Sequence, residues 1–186
     1  MTSADIKSSL NILNQDYIKD DNWPSLNTRK FGPASAVAFD KNNVVVFQRY
    51  DRIWNSESFD AQTNIFKETL LGPIKENTVI TFDHKTGQIV EEWGKNLFYM
   101  PHGLSVTGNH YFLTDVALHQ VFRFDKLKSD KIPALILGEK FKPGIGKRFC
   151  KPTSTASLDN GDFFVADGNI YSFFITTIML SLQIHH

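Results

Sequence analysis

Cysteine is almost absent from this sequence. Cys150 is the single cysteine among 186 residues, and one cysteine cannot form an intrachain disulfide, so nothing in the sequence indicates an oxidising compartment. The neighbouring bases Lys147, Arg148 and Lys151 would favour a thiolate. No histidine adjoins Cys150 to support nucleophilic chemistry, however, and a buried or unused thiol is the favoured interpretation.

An excess of one charge is also missing. The chain has 20 basic and 20 acidic residues, which excludes the electrostatic footprint of a protein that binds nucleic acid or an anionic membrane. Long apolar runs are missing as well. Residues 1–20 lack the basic start and apolar stretch of a signal peptide. The apolar tail at 170–184 is interrupted by Ser, Thr and Gln, and it is too short and mixed for a membrane span.

Short β-branched and aromatic runs separated by polar turns fill the middle of the chain. The runs at 37–39 and 44–47 flank one turn, and those at 79–83 and 88–93 flank another. Such patterns predict β-hairpins. A further strand is predicted at 134–137. Near the start, Ile6, Leu10, Leu13 and Tyr17 have helical spacing and predict a short amphipathic helix.

A unit of strands and turns recurs along the chain. One copy begins at Pro101 and ends at Asp115, and a second begins at Pro152, 51 residues later, and ends at Asp167. A looser copy begins at Pro33. Periods of roughly 40 to 50 residues, with about four short strands each, indicate β-propeller blades. We therefore predict an all-β fold, a partial β-propeller with about two and a half blades.

The repeat suggests three regions. We assign 1–30 to an N-terminal extension of helix or coil, 31–168 to the partial propeller, and 169–186 to an apolar tail in which the repeat does not continue. Propellers close with about 4 to 8 blades, and this sequence predicts about two and a half. We therefore interpret it as a splice form, a fragment or a mis-joined gene model. Open blade edges and apolar flanks such as 163–165 would favour self-association.

His102 opens the strand expected to be innermost in its blade, where its side chain would face the central channel. A zinc site needs three or four ligands, so the residue types alone favour a structural or solvent-bonded histidine. The other internal histidines are irregularly spaced and form no His-x-x-x-His pair: His84, His110 and His119.

Five segments carry a resemblance to a known family. They are 47–54 (FQRYDRIW), 71–74 (LGPI), 94–104 (GKNLFYMPHGL), 115–122 (DVALHQVF) and 149–153 (FCKPT). In residue identity, order and spacing these segments resemble the peptidyl-α-hydroxyglycine α-amidating lyases. This is a family of NHL-repeat propellers that includes the lyase domain of peptidylglycine α-amidating monooxygenase. The resemblance runs from about residue 22 to residue 168.

The resemblance implies a fold, a reaction and a site. The family is a six-bladed propeller that converts peptidyl-α-hydroxyglycine to a peptide amide and glyoxylate, with zinc held by three histidines and a structural calcium. His102 matches the first zinc ligand, and Arg49 matches the arginine that binds the substrate carboxylate, a task that suits a planar guanidinium. The backbone carbonyls of Val37 and Leu104 match calcium ligands. The family works in neuropeptide processing, in the secretory pathway or outside the cell. This chain's own location is not predicted.

The sequence also departs from the family. The other two zinc histidines and the aspartate that completes the calcium site belong to later blades, which this sequence does not contain. Asn169 stands where the family has its catalytic tyrosine, and Tyr171 does not take that role. The disulfide partner of Cys150 is missing, so Cys150 is interpreted as an orphaned disulfide cysteine. With one zinc histidine, we expect this chain to be inactive as it stands.

Alternatives remain open at this point. The chain would otherwise be a non-catalytic partial propeller that holds a peptide or a partner through its open edges, as a binding or regulatory module, or a product that does not fold stably. Arg49 would otherwise pair with Asp51 on the surface. Arg52 and Trp54 are assigned to rim packing, and the aspartates of 115–125 to bonds with turn amides.

Overall fold

The computed structural model describes residues 20–24, 29–144, 148–158, 160–169 and 172–178. These residues form eleven β-strands in three antiparallel sheets and one short 3-10 helix, Thr69–Leu71. No α-helix occurs within those ranges, and no helix there has the length and hydropathy that a membrane span requires. The helix predicted between residues 6 and 17 lies outside them.

Each sheet follows chain order, as in a propeller blade. The first contains β1 (Ala34–Asp40), β2 (Asn43–Gln48), β3 (Val79–Asp83) and β4 (Ile89–Trp93). The second contains β5 (Pro101–Thr107), β6 (His110–Asp115), β7 (Gln120–Asp125) and β8 (Pro133–Leu137). The third contains β9 (Pro152–Ser157), β10 (Phe163–Asn169) and β11 (Ser172–Ile178). The predicted hairpins are confirmed.

The first strand of each sheet lies innermost, since β5 packs against both β1 and β9. Aromatic side chains fill the space between the first two sheets, where the rings of Phe47 and Phe98 meet edge to face at 4.9 Å. Phe112 and Phe163 contact each other at 4.9 Å between the second and third sheets. The all-β, partial-propeller prediction is therefore confirmed.

The exposed apolar flank expected at 163–165 is reduced to Phe164, which lines an open groove. Phe163 and Val165 are fully buried against the second sheet and do not form an exposed flank, because alternation along β10 turns them toward that sheet. The repeat was also expected to stop after residue 168, but β11 pairs with all seven residues of β10. The run 172–178 is rich in β-branched and aromatic residues, which favour a strand.

A buried aspartate carboxylate recurs in the second and third sheets and accounts for the Pro-to-Asp unit that recurs in the sequence. The Asp115 carboxylate, at the end of β6, accepts the amides of residues 99 and 100, just before Pro101, at 2.6 and 2.9 Å. The Asp167 carboxylate accepts the amides of residues 150 and 151, just before Pro152, at 2.8 and 2.7 Å. In the first sheet the side chain of Gln48 accepts the amide of Gly32 at 2.8 Å. In each blade, the residues just before the first strand are thus hydrogen-bonded to a side chain at or near the end of the second strand.

Asp115 also fulfils the expectation that the aspartates of this stretch bond turn amides. Its second oxygen accepts the amides of Ala117 and Leu118, each at 2.9 Å, and Asp125 accepts the amide of Leu127 at 3.0 Å. Burial raises the pKa of the Asp115 carboxyl, while its four amide donors act in the opposite direction. Because all four contacts are donors, the site is built for a carboxylate.

Candidate functional site

Arg49 and His102 meet where β2 ends and β5 begins. The amide of Arg49 donates to the Pro33 carbonyl at 2.9 Å, which fixes the backbone beside β1. Its side-chain Nε donates to the Pro101 carbonyl at 2.9 Å, immediately before His102. The structure therefore brings together the two residues that the sequence singled out, although 52 positions separate the ends of this hydrogen bond.

Trp54 contacts both of these residues. The guanidinium carbon of Arg49 is 5.2 Å from the centroid of the indole ring. The imidazole of His102 meets the indole edge to face, with ring centroids 5.4 Å apart and an interplanar angle of 69°. Sequence reasoning assigned Trp54 to rim packing and missed this contact. The sequence carries only a weak indication of this contact, because the contact depends on a reverse turn after Arg49. In that turn the Arg52 amide donates to the Arg49 carbonyl at 2.9 Å, and the chain then brings Trp54 back beside Arg49.

The imidazole of His102 has a defined tautomer. Its Nδ1 lies 3.1 Å from the carbonyl oxygen of Thr153 in β9. A carbonyl can only accept, so Nδ1 carries the proton and Nε2 has the free lone pair in the neutral ring. Burial lowers the pKa of His102, and the charge of Arg49 lowers it further, against the Thr153 carbonyl. The ring is therefore neutral at neutral pH.

Gly103 sets the approach between β5 and β9. A Cβ atom at this position would lie 2.2 Å from the Thr153 carbonyl oxygen and 2.9 Å from Oγ1 of Thr114. Real Cβ contacts of this length do not occur, so a side chain here would separate the strands. The Gly103 amide also donates to Oγ1 of Thr114 at 2.7 Å. Glycine is therefore what allows His102 to reach Thr153.

The alternative pairing of Arg49 with Asp51 is wrong. Asp51 pairs with Nε of Arg52 at 3.3 Å. The guanidinium of Arg49 is partly buried beside Trp54; burial lowers the pKa of Arg49, and the charge of Asp115 opposes this. Arginine stays charged in such settings. Arg52 is buried and its Nη2 donates to the Gly72 carbonyl at 2.9 Å, which confirms its packing role.

The connection from β2 to β3 extends from the first sheet over the other two. It carries Trp54 and also Phe59, whose ring lies 6.4 Å from that of His119, in the turn between β6 and β7 of the second sheet. Nζ of Lys151, the residue just before β9 of the third sheet, lies 4.7 Å from the Phe59 ring and donates to Oδ1 of Asn64 at 2.9 Å. These contacts tie the segment around Arg49 to all three sheets.

Asn64 offers a test of this connection. Its φ is +60°, a conformation that asparagine and glycine adopt more readily than alanine. We expect Asn64→Ala to lower the free energy of unfolding by about 1–2 kcal/mol, through the lost bond to Lys151 and the backbone strain. Asn64→Gly removes the bond alone and should cost less in the same urea titration. Equal losses would show that strain at this position is unimportant.

Cys150 matches the interpretation of a buried, unused thiol. It is free and buried. Burial raises the pKa of the thiol, the charge of Asp167 raises it further, and Lys151 opposes them. The expected activation by neighbouring bases is therefore outweighed. Arg148 instead pairs with Glu139 at 2.9 Å, and residue 147 lies outside the described ranges.

Val37 and Leu104 occupy equivalent positions on neighbouring innermost strands. Val37 lies three residues before the end of β1, and Leu104 three residues before the end of β5. Both strands are edge strands of their sheets, so alternate carbonyls point away from the ladder. Among the residues that the structure describes, no group of three or more His, Cys, Asp or Glu could hold a metal ion. The described residues therefore do not complete a three-ligand site around His102.

Three antiparallel sheets stacked around their innermost strands, with the candidate residues at the strand entries, define part of a β-propeller. No protein-family model matches the chain. It is 50% identical over 169 residues to peptidyl-alpha-hydroxyglycine alpha-amidating lyase 1 of Drosophila melanogaster, covering 90% of this chain and 31% of that protein. It is 48% identical over 152 residues to lyase 2 of the same species, covering 80% and 36%.

A probable peptidyl-alpha-hydroxyglycine alpha-amidating lyase of Caenorhabditis elegans is 40% identical over 144 residues, covering 76% of this chain and 40% of that protein. The chain thus spans between 31% and 40% of the length of these three relatives. Over the part that it spans, the chain belongs to the peptidyl-α-hydroxyglycine α-amidating lyase family, as its sequence motifs predicted.

Proposed function

We propose that this chain supplies part of the site of a peptide-amidating lyase, which converts a peptide ending in α-hydroxyglycine into a peptide amide and glyoxylate. The reaction breaks the bond between the amide nitrogen and the α-carbon. The hydroxyl group loses its proton, and the amide nitrogen gains one. The observation that carries the proposal is that Arg49 and His102, which come from different sheets, contact the same indole ring of Trp54.

Arg49 is assigned to the carboxylate of the terminal α-hydroxyglycine. Its Nε is held by the Pro101 carbonyl, so the Nη1 and Nη2 amino groups are the pair assigned to bidentate binding. The guanidinium is partly buried, where a charged hydrogen bond is stronger than in bulk water. Bound in this way, the terminal residue would lie beside the His102 ring.

His102 is assigned to zinc. A neutral ring whose Nδ1 is held by a backbone carbonyl, here that of Thr153, presents Nε2 as a ligand. Zinc would supply Lewis acidity toward the substrate hydroxyl, and the other protein ligands would have to lie outside the described residues. The carbonyls of Val37 and Leu104 are assigned to calcium, which prefers oxygen ligands. Peptide amidation would place the protein in the secretory pathway or outside the cell.

The test is binding of a peptide that ends in α-hydroxyglycine to the 186-residue chain, measured by calorimetry. We expect Arg49→Lys to weaken binding roughly tenfold or more, because lysine keeps the charge but loses the bidentate fork. Arg29→Lys is the matched control, since Arg29 pairs with Glu92 on the first sheet at 2.5 Å. Equal affinity of wild type and Arg49→Lys would contradict the assignment of Arg49.

A binding module is the second candidate function. The open face of the third sheet forms a shallow, mainly apolar groove lined by Ser154, Thr155, Ala156, Phe164 and Ala166. An apolar groove beside strand edges would take an extended segment of a partner or of a second copy of the chain. Peptide binding at this groove, and not at Arg49, would favour this function.

A further inference from the structure

Trp54 contacts Arg49 and His102, the two residues assigned to the reaction. We propose that Trp54 is a positioning residue, whose indole holds the Arg49 guanidinium beside His102 so that the carboxylate-binding fork is formed before the substrate arrives. The inference rests on the proposed function in one respect, which is that Arg49 binds the substrate carboxylate.

The indole is held on several sides. Its centroid is 5.4 Å from that of Phe59, and Phe59 contacts Phe66 at 5.5 Å. Phe59 and Phe66 are buried in the main hydrophobic core. Arg49 and His102 contact the same indole. A ring supported by core aromatics is a fixed surface, so it can fix the groups that lie on it.

A cation–π contact suits this task because the attraction comes from the charge over the ring and uses no N–H donor. The contact with Trp54 therefore does not occupy the N–H groups that a carboxylate would need. An ion pair would occupy the same N–H groups. Asp51, the nearest carboxylate along the sequence, pairs with Arg52 and not with Arg49, and the Asp115 carboxylate is occupied by four backbone amides. Within the described ranges, the Arg49 side chain is thus held by the hydrogen bond from Nε to the Pro101 carbonyl and by the indole.

The first arm of the test needs no ligand. Hydrogen exchange of the Arg49 Nε–H group is measured by NMR in wild type, Trp54→Phe and Trp54→Leu. Leucine preserves apolar packing against Phe59 but removes the π face. We expect exchange to be about tenfold faster in Trp54→Leu and close to wild type in Trp54→Phe. Unchanged exchange in Trp54→Leu would overturn the inference.

The second arm measures affinity for the α-hydroxyglycine peptide and for its methyl ester, which lacks the carboxylate charge. We expect Trp54→Leu to weaken binding of the acid about tenfold and to leave binding of the ester nearly unchanged. In the Arg49→Lys background, Trp54→Leu should have little further effect, because the two residues act together. Equal weakening for acid and ester, or full additivity with Arg49→Lys, would indicate a merely structural role and overturn the proposal.

The two arms separate the possible failures. If wild type does not bind the acid peptide, the proposed function fails, and the exchange rates still decide whether Trp54 fixes Arg49. If Trp54→Leu does not fold, Trp54→Phe and Trp54→Tyr are compared instead. Both retain a π face, so the inference requires that they retain slow Arg49 exchange, and fast exchange in both would overturn it.

Discussion

Asp115→Asn is expected to lower the free energy of unfolding by about 3–6 kcal/mol, since a hydrogen bond to a charged acceptor contributes roughly 1.5–3 kcal/mol and two of them are lost. Asp115 is fully buried, and its two oxygens accept four backbone amides at 2.6 to 2.9 Å. In asparagine one oxygen becomes an NH2 group, which would face two N–H donors. Urea denaturation monitored by tryptophan fluorescence measures the loss.

Asp125→Asn is the matched control for this prediction. Asp125 closes the next strand, is half-buried and accepts one turn amide, from Leu127 at 3.0 Å. Because the remaining oxygen of asparagine can accept that amide, we expect a loss of less than about 1 kcal/mol. A similar small loss for Asp115→Asn would mean that the buried carboxylate does not hold the entry of the second blade.

Gly103→Ala is expected to lower the free energy of unfolding by about 3 kcal/mol, near the upper end for overpacking of a close-packed interior. The added Cβ would lie 2.2 Å from the Thr153 carbonyl oxygen, which belongs to backbone and cannot turn aside. Relief requires β5 to move away from β9, so the contact between His102 and Thr153 should also be lost. Thermal unfolding measures the first effect, and the NMR tautomer signature of His102 measures the second.

Gly108→Ala controls for the general cost of replacing glycine. Gly108 has φ +53°, and a Cβ there would have no atom within 4 Å. Its replacement should cost only the conformational penalty, about 1 kcal/mol. If the two alanine variants were equally stable and His102 kept its tautomer in both, the close approach of β5 to β9 would not depend on Gly103.

Much of the blade pattern could be predicted because one physical device recurs. Asp115 follows Pro101 by 14 residues and Asp167 follows Pro152 by 15, and each aspartate accepts the amides just before its proline. Hairpins followed from β-branched runs flanked by polar turns. The third sheet was harder to predict, because the sequence from Asn169 to Ser172, just before β11, contains no Gly, Pro or Asp.

The site was predictable only in part. The motifs identified Arg49 and His102 by resemblance, but nothing local indicated that Trp54 contacts both of them. Its position depends on the turn at 49–52 and on packing of the β2–β3 connection against Phe59. The pairing of Asp51 with Arg52 likewise could not be predicted from spacing, because Arg49 and Arg52 lie at similar distances from Asp51 along the chain. Tertiary contacts decided both cases.

The most direct test of the account is an NMR titration of the 186-residue chain with a peptide that ends in α-hydroxyglycine. We expect the resonances of the Arg49 Nε–H, the Trp54 indole N–H and the His102 ring to shift together and to saturate at one peptide per chain. Shifts confined to the groove of the third sheet around Ala156 and Phe164, with these three groups unmoved, would contradict the assignment of the site to amidation.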